Sequence, residues 1–197
     1  MANEAGLFEI ASSQTGYFTT AQARSCGYSW ALLSHHAAGG RFLRVRPGLY
    51  RFRQYPSSPR EQVMAAWLSA GRQTAVVSHD SALDILGLGD IIPQAIHLTI
   101  PRSQRSRRPQ SGVTIHTSTK PVPANEVVVR DGVAVTSPIR TILDVAELGG
   151  APDQVIRAVR EAISRGLVIP EQVRHQAGLR SARVKKLIDQ ALSDVPL

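Results

Sequence analysis

The stretch RFLRVRPGLYRF, residues 41–52, decides the fold. Pro47 and Gly48 favour a tight turn, and the runs on either side alternate, so the segment reads as a β-hairpin. Successive side chains on a strand point to opposite faces. Leu43 and Val45 are therefore expected to share a core face with Tyr50 and Phe52, leaving Arg44, Arg46, Arg51 and Arg53 on the outer face. A row of guanidinium groups suits a phosphate backbone. If all four neutralise phosphates, the slope of log affinity against log salt is about −3.6 per protomer. The competing reading is a solvated hairpin that only braces the core.

What precedes the hairpin gives it a context. Leu7, Ile10 and Ala11 share one helical face in residues 5–14, and Gly16 ends that helix. Thr19 is an N-cap with Gln22 three residues on, the spacing of a capping box. Gly27 breaks the short helix that follows. Ser29 caps a third helix, which runs to about Ala38 and stops at Gly39 and Gly40. Three helices followed by a basic hairpin is the order of a winged helix-turn-helix. On the third helix Leu33, His36 and Ala37 should face inward, with Trp30, Ala31, Ser34 and His35 outward. Serine and histidine reach base edges, but without arginine or lysine this helix lacks the bidentate contact to guanine. The expected DNA-contacting set is Ser29, Trp30, Ser34, His35, Arg41, Arg44, Arg46, Arg51 and Arg53.

The segment YPSSP, residues 55–59, reads as a linker, dividing the chain into a winged helix-turn-helix over 1–56 and a second domain over 57–197. Ser58, Pro59 and Glu61 open a helix by capping-box spacing. Beyond it, short strands near 74–77, 95–100, 112–117, 126–130 and 133–136 mix with helices near 78–86, 139–146, 152–165 and 181–192. The fold class is α/β (α+β), with a mixed second domain and a helical C-terminal tail. Residues 102–108 hold a basic loop (Arg102, Arg105, Arg107, Arg108), and the tail holds Arg180, Arg183, Lys185 and Lys186. Both read first as solvated surface.

Composition narrows the function classes. The net charge is +8, the ends being basic (+4 over 1–56, +3 over 150–197) and the middle nearly neutral. That bias favours a polyanionic partner. No apolar run reaches membrane-span length, so no membrane association is expected. A single cysteine, Cys26, and the absence of a secretory pattern in MANEAGLFEI fit a reducing cytoplasm. No phosphate-binding G-x-x-x-x-G-K motif and no H-E-x-x-H motif is present. The histidines show no metal-ligand spacing, so no metal, cofactor or catalytic residue is expected. The run Ser78-His79-Asp80-Ser81 is too local for a catalytic triad, and serine before an apolar helix is more often a cap. Arg140 and Asp144 are expected to pair on a helix surface.

Four segments in this order resemble the AbiEi-type antitoxins: GYSWALLSHHAAGGRFLRVRPGLYR, VVSHDSALDILGLGD, AIHLTIPR and GVAVTSPIRTILDVA. They lie within roughly residues 16–148, and the short length and helical tail are similar to mycobacterial members. The resemblance implies an N-terminal domain that binds inverted repeats in its own promoter and represses the operon. It also implies a C-terminal domain that neutralises a co-encoded nucleotidyltransferase-like toxin acting on tRNA. Arg44, Arg46 and Arg51 match the family's basic wing, and Ser29 matches the cap of its recognition helix. Trp30, Ala31, Ser34 and His35 depart from it, since the family often has basic residues there. The two basic clusters are then candidates for toxin contact. Paired half-sites about 34 Å apart would require a homodimer on the operator. The alternative is a stand-alone regulator with a ligand-sensing second domain. A nucleic-acid enzyme is a third reading with no supporting constellation.

Overall fold

The computed structural model describes residues 1–105 and 111–193. The chain forms two compact units, Met1–Ala75 with Asp131–Val133, and Val76–Arg130 with Ala134–Leu197. The first therefore extends past the break expected at residue 56.

In the first unit, α1 (Glu4–Ser12), β1 (Tyr17–Thr19), α2 (Thr20–Ser25) and α3 (Trp30–Ala38) lead into the hairpin β2 (Phe42–Arg46) and β3 (Leu49–Phe52), and α4 (Glu61–Ala70) follows. The caps read from sequence for α2 and α3 are in place. Gln22 N–H donates to Thr19 Oγ1, the Gln22 amide oxygen accepts from Thr19 N–H, and Leu32 N–H donates to Ser29 Oγ. One strand was not expected: β1 makes the sheet three-stranded, in the order β1-β3-β2, all antiparallel.

The hairpin register differs from simple alternation. Phe42 pairs with Phe52 and Arg44 with Tyr50, while Phe18 of β1 also pairs with Tyr50. Directly opposed residues share a face, so the core face carries Phe18, Phe42, Tyr50 and Phe52. These pack with Leu7, Ala11, Ala23, Tyr28 and Leu33 as one buried cluster. Leu43 and Val45 point away from it, and Val45 is exposed. A bulge between Arg44 and Arg46 then sets Arg46 opposite Leu49, so those two arginines fall on opposite faces.

The other face of this sheet is covered as well. Helix α4 packs on β1 and β3. Its start differs from the expected capping box, because Arg60 occupies the cap position without a side-chain cap. The Glu61 carboxylate still accepts from Ser58 N–H at 3.4 Å, the reciprocal half of that box, and it also accepts from Arg51 at 3.1 Å. Trp67 closes the unit, its indole N–H donating to the Ala75 carbonyl at 2.7 Å.

In the second unit β4 (Val76–Val77), α5 (His79–Leu86), β5 (Ile96–Pro101), β6 (Val113–Ser118), β7 (Val127–Arg130) and β8 (Val133–Thr136) are followed by α6 (Pro138–Leu148), α7 (Pro152–Ser164), α8 (Pro170–Ala177) and α9 (Ala182–Ser193). The five-stranded sheet has the order β6-β5-β4-β8-β7 and is mixed, with β4 antiparallel to β5 and parallel to β8, and β5 parallel to β6. Ser137 caps α6 with Pro138 at its first position, which suits a residue lacking an amide proton. Helix α5 packs on β5 and α6, and α7 on α6 and α9. Helix α8, not foreseen, buries only Val173 and Ala177, too sparse an apolar stripe to register as a helical period.

Candidate functional site

The helix-turn-helix presents its third helix as expected. Leu33 is fully buried, and His36 turns inward against Tyr28 and Phe42. Trp30, Ala31, Ser34 and His35 are exposed, Trp30 by 60% at the helix's first turn. In this motif the N-terminal residues of the recognition helix meet base edges while the preceding helix crosses the backbone. Arg24, exposed in the last turn of α2, lies on that preceding helix. The sequence reading passed over it because it stands outside the basic hairpin.

The arginines of the hairpin do not form one outward row. Arg51 is buried (7% exposed), its guanidinium donating to Glu61 and to the Pro56 carbonyl at 2.9 Å. It also lies over the Tyr17 ring, 5.4 Å from the centroid. The reason is the sheet register, which places Arg51 with Tyr17 and Leu43 under α4. Arg51 is thus a structural ion pair and is withdrawn from the DNA-contacting set. Arg44 is exposed, and its guanidinium makes no ion pair or hydrogen bond among the described residues. Arg46 is half-buried. Arg53 is exposed, with its Nε donating to the Gly40 carbonyl, and Arg41 is exposed in an ion pair with Glu4.

The basic clusters of the second unit divide too. Arg102 and Arg105 are exposed, while Arg107 and Arg108 lie outside the described residues. Lys185 and Lys186 are exposed on α9. Arg180 and Arg183 are engaged, which corrects the expectation of a uniformly solvated tail. Arg183 donates to the carbonyls of Ala146 and Glu147, satisfying the last turn of α6. Arg180 donates to Asp144 at 3.0 Å.

Asp144 is the hub of a pocket of about 460 Å³ lined by residues that include His79, Thr99, His116, Arg140 and Arg180. Arg140 donates to Asp144 at 2.7 Å and also to Glu126. The pair expected on a helix surface is therefore inside, with Asp144 only 7% exposed. Burial disfavours the Arg140 charge, but the two carboxylates outweigh it and raise its pKa.

Three histidines that looked scattered in sequence meet at the wall of this pocket, His79 and His116 lining it and His97 next to His116. His79 opens α5, His97 lies on β5 and His116 on β6. In the parallel β5–β6 register Thr99 pairs with His116, so His97 and His116 project from the same face two positions apart. His97 Nδ1 is 3.0 Å from His116 Nε2, and the His79 and His116 rings stack at 3.6 Å. One nitrogen from each ring lies within 4.8 Å of the others, a donor set able to hold a metal ion. Ser78 is at the cap position of α5, yet its hydroxyl does not cap. It lies 2.9 Å from His79 Nδ1 and accepts from Thr99 Oγ1 at 2.8 Å.

Burial drives the His79 pKa down from 6.5 to about 3, helped by His116, His97, Arg140 and Arg180. Burial also lowers His97 and His116. The unfolded chain takes up the His79 proton below about 6.5, and the folded chain refuses it until about 3. Acid therefore favours unfolding across that window, and above it the group contributes no pH dependence. In chelator-treated protein, His79 should make the stability of this unit fall between pH 6.5 and 4 by up to about 1.4 kcal/mol per pH unit. His79→Asn should flatten the profile of urea midpoint against pH. An unchanged profile would refute this origin.

Residues 7–53, which span α1 to β3, match the model of a family described as transcriptional regulator, AbiEi antitoxin. Among solved structures, the chain is similar to the crystal structure of RV2827C protein from Mycobacterium tuberculosis. The identity is 14%, the match covers 95% of this chain and 74% of that one, and the TM-score is 0.60. At that identity the likeness is one of fold. No curated protein matches the chain. Among the described residues, no helix is long and apolar enough to cross a membrane.

Proposed function

We propose that this protein, whose residues 7–53 match the model of the family described as transcriptional regulator, AbiEi antitoxin, is a non-enzymatic antitoxin and autorepressor. Its first unit binds operator DNA through α3 and the hairpin. Its second unit neutralises a co-encoded nucleotidyltransferase-like toxin. The observation that carries this reading is the family match over a helix-turn-helix whose third helix leaves Trp30, Ser34 and His35 exposed, with Arg44 exposed on the hairpin that follows. The net charge of +8 supports a polyanionic partner.

Fluorescence anisotropy on its own upstream DNA tests the first half. With Arg51 removed, the hairpin supplies at most Arg44, Arg46 and Arg53, so its share of the salt slope is no steeper than about −2.7 per protomer. Arg44→Ala should flatten the slope by about 0.9 without changing thermal stability. Arg51→Ala should lower stability instead. Equal loss of DNA affinity in the two variants, with both equally stable, would contradict this division. Co-expression with the adjacent gene tests the second half: rescue from toxicity supports it, and a harmless neighbour refutes it.

The pocket around Asp144 favours a second reading, a stand-alone regulator whose second unit senses a small ligand. That reading requires ligand-dependent release of DNA and no toxic neighbour.

A further inference from the structure

We propose that His79, His97 and His116 form a binding site for one divalent transition-metal ion of the zinc type, held by three imidazoles with a fourth position open to the pocket. The proposal goes beyond the antitoxin reading and does not depend on it. Among the described residues these three are the group that brings one ligand nitrogen each to within 4.8 Å of the others. They come from the start of α5 and from two neighbouring strands, so their spacing is fixed by backbone pairing rather than by a loop. Imidazole nitrogens suit zinc, nickel, copper and cobalt, whereas calcium and magnesium prefer oxygen.

The protonation chemistry is compatible. A metal needs neutral imidazoles with a free lone pair, and burial favours the neutral form of all three rings. His97 Nδ1 and His116 Nε2, 3.0 Å apart, face one another across a hydrogen bond, so one of them carries a proton. Coordination moves that proton to the far nitrogen of the same ring, with no net release. Two nitrogens on a tetrahedral zinc at 2.0–2.1 Å stand about 3.3 Å apart. The pair thus has only a few tenths of an ångström to open.

His79 is the ring that must move most. It stacks face to face on His116, with 16° between the planes, and lone pairs of parallel rings do not converge on one ion. A tilt of the His79 ring brings its Nε2 round. Its Nδ1 is engaged by Ser78, which Thr99 steadies in turn, the kind of outer contact that fixes a ligand's tautomer. His79 also has a φ of +52°, strained for a residue with a side chain. Such strain persists where the surroundings over-determine it, often at functional sites. The carboxylate of Asp144 is occupied by Arg140 and Arg180, so it does not complete the shell. The fourth position faces the pocket, where water or a small anion near those guanidinium groups would fill it.

The test uses tag-free, chelator-treated full-length protein. Zinc is titrated in competition with a chromogenic chelator, and cobalt is followed by its visible absorption. The expected result is one ion per chain at micromolar or tighter affinity, weakened at least tenfold by each of His79→Ala, His97→Ala and His116→Ala. The double variant His35→Ala/His36→Ala should bind as the parent does. Because a core histidine variant can fail to fold, X-ray absorption on the zinc-loaded parent protein is the second measurement. Three nitrogens at 2.0–2.1 Å with imidazole scattering support the site. Millimolar binding, binding indifferent to the three substitutions, loss on changing His35 and His36, or fewer than three imidazoles on the metal would each overturn it.

Discussion

Phe42→Ala is expected to destabilise the first unit by about 3–5 kcal/mol, while Val45→Ala, three residues on in the same strand, costs less than about 0.5 kcal/mol. Phe42 is 1% exposed and meets Phe18 at 4.9 Å and Phe52 at 5.0 Å between ring centroids, both edge-on, with Tyr28 and His36 beside it. Truncation removes the buried area and these ring contacts together, and it leaves a void that the sheet cannot close. Val45 sits at the bulge and is 39% exposed. Trp30 and Trp67 both belong to the first unit, so tryptophan fluorescence in urea follows its unfolding separately from the far-ultraviolet signal of both units. Alternation read from sequence gives the reverse order, with Val45 in the core. A larger effect at Val45 than at Phe42 would discard the observed register.

That contrast shows where the sequence was legible. The first three helices and the caps of α2 and α3 were readable because Thr19, Gln22, Ser29, Gly27 and Gly39 act within a few residues of themselves. The hairpin's existence was readable for the same reason. Its facing was not, because facing depends on a bulge at Val45 and on partners outside the hairpin. The strand Tyr17–Thr19 gives Tyr50 a second neighbour in Phe18, and α4 supplies Glu61 for Arg51. Four arginines at alternating positions look like one outward row only if the strand pairing is regular and one face is bare. Here neither holds.

The histidine pocket was hidden for a different reason. His79, His97 and His116 are 18 and 19 residues apart, and no short motif links them. What joins them is β5 lying parallel to β6, with α5 beginning beside β5. That topology follows from long-range pairing rather than from local signals. The outward face of α3 was legible because helical period alone decides it.

The charged side of that pocket gives the second large effect. Asp144→Ala should destabilise the second unit by about 2–4 kcal/mol. Removing one partner of a buried ion pair usually costs about 3–5 kcal/mol. The lower range applies because the Arg140 and Arg180 side chains keep 19% and 27% of their exposure, so water compensates in part. Both carboxylate oxygens are used, Oδ2 by Arg140 and Oδ1 by Arg180. The loss therefore leaves two guanidinium groups facing one another, with only Glu126 still paired to Arg140. Asp144→Asn preserves volume and one acceptor, and should cost roughly half as much. Arg180→Ala in the Asp144→Ala background should recover part of the loss, since it removes one orphaned charge, whereas in the parent it destabilises. This sign reversal separates a paired network from simple packing, for which the two truncations would add. Urea unfolding followed by circular dichroism and amide exchange in α6 and α9 measures all four variants. Additive losses across the cycle would show that Asp144 contributes by filling space, and would remove the electrostatic account of the pocket.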